Sequence, residues 1–307
     1  MRTVVAALLV VVLAAGCGGG GDRGPDRQTA AKPSPTAAAT ATAKPTPAAP
    51  TEPALPSPRA QIPRSPDRLA KRLAADVRQL KQAIEEWRAT NPGRRATPPR
   101  AVTLLALYEQ RVYRRLARHP ALAQATVARL PRKLRTEARA SAGAYRALFT
   151  LTSYATEARF RTGKPIPPDV LLGYYRAAQQ RFGVRWDVLA AVNMIESNFG
   201  RLRNVSNAGA VGPMQFLPAT WAAYGLGGNI RDPRDAVLGA ANYLHASGAP
   251  QNHARALYSY NPSPLYVSAV LRFARRIRGD RRAYYASWAW QSFRRTPDGD
   301  VQLTGPR

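Results

Sequence analysis

Residues 187–200 read Asp-Val-Leu-Ala-Ala-Val-Asn-Met-Ile-Glu-Ser-Asn-Phe-Gly, and the reading of this stretch decides what kind of fold surrounds the chemistry. Val188, Leu189, Val192 and Ile195 recur at helical spacing, which predicts a short helix from Asp187 to Ser197. Leu189, Val192 and Glu196 share one stripe of that helix, so a carboxyl group ends a row of buried aliphatic side chains. Desolvation there raises the pKa of an acid toward the range a proton donor needs at neutral pH. The same placement fits an ordinary glutamate at a helix end, so the pattern alone leaves both readings open.

Working outward, Asp169 to Phe182 is predicted to be helical and to stop at Gly183. On the other side, Asn207-Ala208-Gly209-Ala210-Val211-Gly212-Pro213-Met214-Gln215-Phe216-Leu217 is a small-residue loop, and Pro218 opens a further helix through Thr220 and Trp221. Glycines in such a loop let the backbone approach a flat ligand, and Gln215 supplies an amide for sugar hydroxyl or acetamido groups. Two more blocks follow in order: Asp232-Pro233 with Asp235-Ala236 and Ala241-Asn242-Tyr243-Leu244, then Ser259-Tyr260-Asn261-Pro262 before Tyr266-Val267.

Together with Glu196-Ser197-Asn198-Phe199-Gly200, these blocks resemble the bacterial lytic transglycosylases with a lysozyme-like catalytic domain of the soluble-lytic-transglycosylase type. The Asp232-to-Leu244 block is nearest the membrane-bound B-type enzymes, while the last block is nearest the Ala-Tyr-Asn block of the soluble type, with Ser259 in place of Ala. The resemblance covers residues 181 to 275 and implies a mainly α, lysozyme-like fold with Glu196 as the catalytic acid. It implies Ser197 as a hydroxyl that polarises the bond or contacts substrate, and Met214 and Gln215 as cleft residues. Tyr260 and Asn261 would form the floor, the Tyr260 phenol reaching the glutamate, and Tyr258 and Asn242 would add substrate contacts.

Ordinary glycosidases use two carboxyl groups. Between residues 188 and 279 the only acids are Glu196, Asp232 and Asp235, and helix capping explains both aspartates. A single acid fits the activity that the resemblance implies. In that activity the bond between N-acetylmuramic acid and N-acetylglucosamine is broken and a 1,6-anhydromuramoyl end is formed, with no cofactor. A muramidase on the same fold and a non-catalytic peptidoglycan-binding lipoprotein are the alternatives. No metal site is expected, since His119, His245 and His253 are scattered and Cys17 is the only cysteine.

The chain opens with Arg2 and an apolar run from Val4 to Ala15, about 12 residues, which is shorter than the roughly 20 a membrane-spanning helix needs. It reads as a secretory signal. Ala14-Ala15-Gly16 before Cys17 resembles a bacterial lipobox, with Leu13 one place earlier than usual, which implies a lipoprotein signal over 1–17 and lipid attachment at Cys17. Residues 18–66 hold 11 prolines among small residues and read as a disordered linker. The expected location is therefore the cell envelope, lipid-anchored on the membrane and facing the wall.

Residues 67–162 read as a helical region. Ser65-Pro66-Asp67 starts a helix in which Leu69, Leu73, Val77, Leu80, Ile84 and Trp87 form one face. Thr97-Pro98-Pro99 starts a second, with Leu105, Tyr108, Val112 and Leu116 inward. A third runs from about Pro131 to Phe160, presenting Leu134, Ala138, Tyr145, Leu148, Thr152 and Ala155. Arg111, Arg114, Arg115, Arg118, Arg132, Lys133 and Arg135 read as a solvated face, and the region is a candidate docking platform for cell-wall machinery. The lysozyme-like domain is bounded at 163–280. Over 281–307, Tyr284, Ala286, Trp288 and Trp290 alternate with period two and Asp298-Gly299 is a turn before Val301 and Leu303, which predicts a short β-hairpin or extended arm packed on the helices by its aromatic side.

The chain has 307 residues, 46 basic against 18 acidic, and a formal charge of +28. Residues 1–66 hold 7 of the cations and 3 of the acids, so the remainder keeps 39 against 15. Such a balance calls for an acidic partner. Secretion and the lack of a base-reading motif exclude nucleic acid, leaving peptidoglycan glycan strands and an anionic envelope.

Overall fold

The computed structural model describes residues 54–91, 97–152, 154 and 160–307. The signal segment with Cys17 and most of the linker lie outside them. From Leu55 onward the chain forms one compact unit, mainly helical as expected. Its helices are α1 (Pro66–Thr90), α2 (Arg100–Arg118), α3 (Pro120–Arg129), α4 (Arg132–Leu151), α5 (Pro168–Phe182), α6 (Trp186–Ser197), α7 (Pro218–Tyr224), α8 (Pro233–Ala246), α9 (His253–Tyr260), α10 (Pro264–Gly279) and α11 (Arg281–Ala289). Strands β1 (Phe293–Thr296) and β2 (Gly299–Gln302) follow, antiparallel, with Phe293 opposite Gln302 and Thr296 opposite Gly299.

All six apolar residues of the α1 stripe are buried, each worth about 1.5–3 kcal/mol of transfer free energy if fully withdrawn from water. The inward residues predicted for α2 are buried as well. That segment nevertheless breaks at His119-Pro120, because a proline can open a helix but cannot continue one, and α3 starts there. The third predicted helix ends at Leu151 instead of Phe160. Its last carbonyls are taken by Arg295 of β1, which donates to Phe149 O at 2.6 Å and Thr152 O at 2.9 Å. Ala155 lies outside the described residues.

Three further expectations are corrected. The linker is anchored before residue 66, since Arg111 of α2 donates to the carbonyls of Pro58 and Ala60. Arg114 is not solvated: it is buried, and with Arg118 it grips Asp300 of β2, whose carboxyl those two guanidiniums hold down at about 2 against the effect of burial. The aromatic segment after residue 280 is helix α11 and not strand, while the hairpin forms beyond it around the expected turn, between Thr296 of β1 and Gly299 of β2. Every residue from Ala283 to Ala289 is buried, so this helix has no polar face to reveal its 3.6-residue period. Its aromatic side chains do pack on the helical body, donating from Tyr284 to Pro168 O and from Trp288 to Ile166 O.

The boundaries at 162/163 and 280/281 separate segments of sequence that share one core. Helix α10 packs against both α4 and α6. Near its C-terminal end the Arg276 side chain is fully buried. It makes paired hydrogen bonds to Glu109 of α2 at 3.0 and 2.9 Å, an ion pair with Glu137 of α4 at 2.8 Å, and hydrogen bonds to Ser141 and Ser287. Its guanidinium lies over the Trp290 ring, 4.7 Å from the centroid. Glu109 also accepts from Trp290 Nε1 and Tyr113 OH. Burial works against the charge on Arg276, and the two glutamates more than offset it. On α1, by contrast, Asp76 is buried with no hydrogen-bond partner for either oxygen. Burial, reinforced by the nearby charge of Glu109 and opposed by Arg72, pushes its carboxyl up to about 9.

Arg276→Met leaves Glu109 charged in the interior without its cation and is expected to cost about 3–5 kcal/mol in urea unfolding. Adding Glu109→Gln is expected to restore a large part of that loss.

Candidate active site

Helix α6 delivers Glu196 and then stops abruptly. Asn198, Phe199 and Gly200 all take positive φ (49°, 60° and 82°), which turns the chain back at once. The turn is held from inside. Ser197 Oγ donates to Pro213 O at 2.7 Å and accepts from Gly200 N, while Asn193 Nδ2 donates to the same carbonyl at 2.7 Å. Tyr175 OH fixes Asn193 by donating to its Oδ1 at 2.6 Å. The glycine-rich loop is thus fastened to α6 through one carbonyl. Within the loop, Val211 and Phe216 pair through two backbone hydrogen bonds, and Gly212, at φ 80°, sits where a Cβ would collide with the Ile230 carbonyl.

Glu196 is half-buried, open enough to meet a ligand. Its Oε1 accepts a hydrogen bond from Tyr266 OH at 2.6 Å. Burial pushes the carboxyl up to about 7, and the Tyr266 phenol pulls the other way. It is therefore protonated in a substantial fraction at neutral pH, as a proton donor must be. Tyr266 stands in the first turn of α10, after a Ser263 cap. Tyr260 lies parallel to it, with ring centroids 6.4 Å apart, and edge contacts to Phe216 and Tyr243 continue an aromatic wall. A shallow pocket beside this wall is lined by Gln215, Leu217, Thr220, Tyr243 and Ser259 among others.

The structure sorts the expected site residues. Glu196, Gln215 and Tyr260 are brought to one region, with Asn261 buried at the end of α9. The phenol expected to reach the glutamate is a different one: Tyr260 OH donates to Met214 O, and Tyr266 takes the place expected for it. Ser197 is fully buried and serves the loop, so its hydroxyl does not face a ligand. Met214 is fully buried too and offers only its carbonyl, to Tyr260. Gln215, at φ 49°, directs its amide to the carbonyls of Asn204 and Gly212. Asn242 donates to Tyr224 O, holding α7 to α8, and Tyr258 sits on the solvent side of α9. Asp232 caps α8 as expected, whereas Asp235 is no cap: from the first turn of α8 it accepts from Asn229 N and ties down the preceding loop. The missed residue, Tyr266, carried one signal. Its hydroxyl is the one polar group in the first three turns of the buried α10 stripe, Tyr266, Ala269, Val270 and Phe273, before Arg276, and a buried phenol needs a partner.

A helical domain with a half-buried, phenol-tethered acid beside a fastened glycine loop is a lysozyme-like arrangement. Residues 173–276, within α5 to α10, match the Transglycosylase SLT domain family. Members of that family are lytic transglycosylases acting on peptidoglycan, so the domain implies a peptidoglycan glycan substrate. No curated protein and no solved structure matches the chain. Among the described residues no cluster of His, Cys, Asp and Glu could hold a metal ion, and no helix is long and apolar enough to cross a membrane.

Tyr266→Phe removes the interaction that lowers the Glu196 pKa. The pH at which kcat/KM falls on the alkaline side is expected to move upward, while kcat drops by roughly 10-fold, the worth of one hydrogen bond to a charged group. A pH profile of peptidoglycan clearance separates this from simple loss of packing, which would lower activity without moving the limb.

Proposed function

We propose that the protein is a lytic transglycosylase that cleaves the N-acetylmuramic acid to N-acetylglucosamine β-1,4 bond and leaves 1,6-anhydromuramoyl ends, in remodelling of the cell wall. The observation that carries this reading is Glu196. Asp232 is taken up by capping α8, Asp235 by the loop before it, Asp187 by Arg185 and Asp169 by Tyr285, whereas Glu196 is half-buried, protonated in a substantial fraction at neutral pH and held in place by Tyr266. Glu196 donates its proton to the glycosidic oxygen as the bond from muramoyl C1 breaks. The carboxylate so formed takes the proton of the muramoyl C6 hydroxyl, whose oxygen bonds to C1 and closes the anhydro ring. Glu196 ends protonated, and no second carboxylate is used. A donor with a pKa near 7 suits both halves of this cycle, because it gives and takes a proton at similar cost.

Glu196→Gln is expected to lower cleavage of purified peptidoglycan by about 10²–10⁴-fold with binding to insoluble wall retained. Mass analysis of wild-type digests is expected to find anhydromuramoyl ends, and products carrying only reducing ends would overturn the reading in favour of a muramidase.

The envelope location belongs to the same proposal. It is supported by the apolar run ending at Cys17 and by the excess of basic residues that follows it. The lipid at Cys17 would hold the enzyme to the membrane, with the proline-rich segment letting it reach the wall. Cys17→Ser is expected to move the protein from the membrane fraction to the soluble one, and an unchanged distribution would rule out the anchor.

A further inference from the structure

Arg201 lies in the turn that follows Glu196, and it is 4% exposed. A buried guanidinium normally has a carboxylate beside it, as Arg276 does. Arg201 has none. Its Nη1 donates to Asn198 O at 3.3 Å, and its Cζ lies over Trp288, 5.0 Å from the ring centroid. No charged group offsets its burial, which pushes the pKa down to about 9. The side chain instead borders a cavity of about 610 Å³ between the α6 turn, α2 and the C-terminal segment. That volume is in the range of small-ligand sites. Thr103, Thr162, Thr304 and Gln291 supply polar lining, Lys164 adds a second cation, and no acidic residue contributes among the described lining. The catalytic reading uses none of these groups.

We propose that this cavity binds an oxyanion group, a carboxylate or phosphate carried by a small ligand, with Arg201 as its buried counter-charge. The contact with Trp288 holds the guanidinium at the cavity wall, and its planar fork is of a shape to pair with two oxygens of one anion. The site is distinct from the cleft at Glu196 but is joined to it. The Arg201 carbonyl accepts from Gly163 N at 2.9 Å, and Arg201 N donates to Asn198 O within the turn, so an anion here braces the segment that ends α6.

The test is the melting temperature of the full chain at constant ionic strength, with inorganic phosphate, with N-acetyl-alanyl-alanine bearing a free carboxylate, and with the amide of that dipeptide, each against matched sodium chloride. A ligand of the folded state raises the melting temperature. A rise is expected with phosphate or with the free acid and not with the amide; a response to one probe alone identifies which anion the site takes. Arg201→Gln is expected to abolish the rise. Thr103→Phe, which fills the cavity from α2 without touching the guanidinium, is expected to do the same and decides the matter if Arg201→Gln does not fold. The proposal is overturned if neither anion raises the melting temperature, or if the rise survives in either variant. The amide raising it as much as the acid would also overturn it.

Discussion

The buried pairing of Arg276 with Glu109 and Glu137 is the constraint on which the rest of the arrangement depends. A guanidinium taken out of water needs its opposite charge and its hydrogen bonds supplied in one geometry. Here α2, α4 and α11 supply them together. Helix α10 cannot slide or rotate without breaking that set. Tyr266 stands ten residues earlier on the same helix, about 15 Å away at 1.5 Å per residue. The phenol that positions the acid is thus registered by a charge cluster at the other end of its helix. The segment matching the SLT domain family ends at residue 276, the arginine itself, while both glutamates lie outside the match. The N-terminal helices are therefore structural partners of the catalytic domain, whatever else they bind.

Around the acid a second, smaller constraint operates. Pro213 O accepts from both Ser197 and Asn193, so the loop and α6 move as one piece. Of the three consecutive positive-φ residues after α6, Asn198 and Gly200 take that conformation at little cost while Phe199 is strained, and the buried hydrogen bonds on either side over-determine the turn. Rigidity at this point lets burial, and not a neighbouring charge, set the proton affinity of Glu196.

Much of the fold was legible because its helices are amphipathic and capped. The α1 stripe, the Gly183 stop with φ 70°, and the Asp232 cap of α8 all follow from local chemistry. What was not legible depends on tertiary burial. Helix α11 has no solvent face, so its aromatic residues mimicked the period of a strand. Arg114 looked like surface because its partner Asp300 lies 186 residues away. Glu196 stood out in the sequence through its stripe and the blocks around it. The choice between Tyr260 and Tyr266 did not, because both are inward aromatic residues and only packing decides which hydroxyl meets Glu196 and which meets Met214. Ser197 misled for a similar reason: the hydroxyl beside the acid turned inward.

Asp76, the buried acid without a hydrogen-bond partner on α1, makes folding a proton-uptake reaction. An unfolded aspartate releases its proton near 3.8, whereas the folded one keeps it to about 9. Across neutral pH the chain must therefore draw a hydrogen ion from the medium to close α1 onto α2, and return it on unfolding. Glu196 adds a smaller share up to about 7. Both groups erode stability as the solution becomes more alkaline. His253, whose imidazole burial holds below its ordinary range, works the other way and adds stability to the folded state as pH rises toward neutrality.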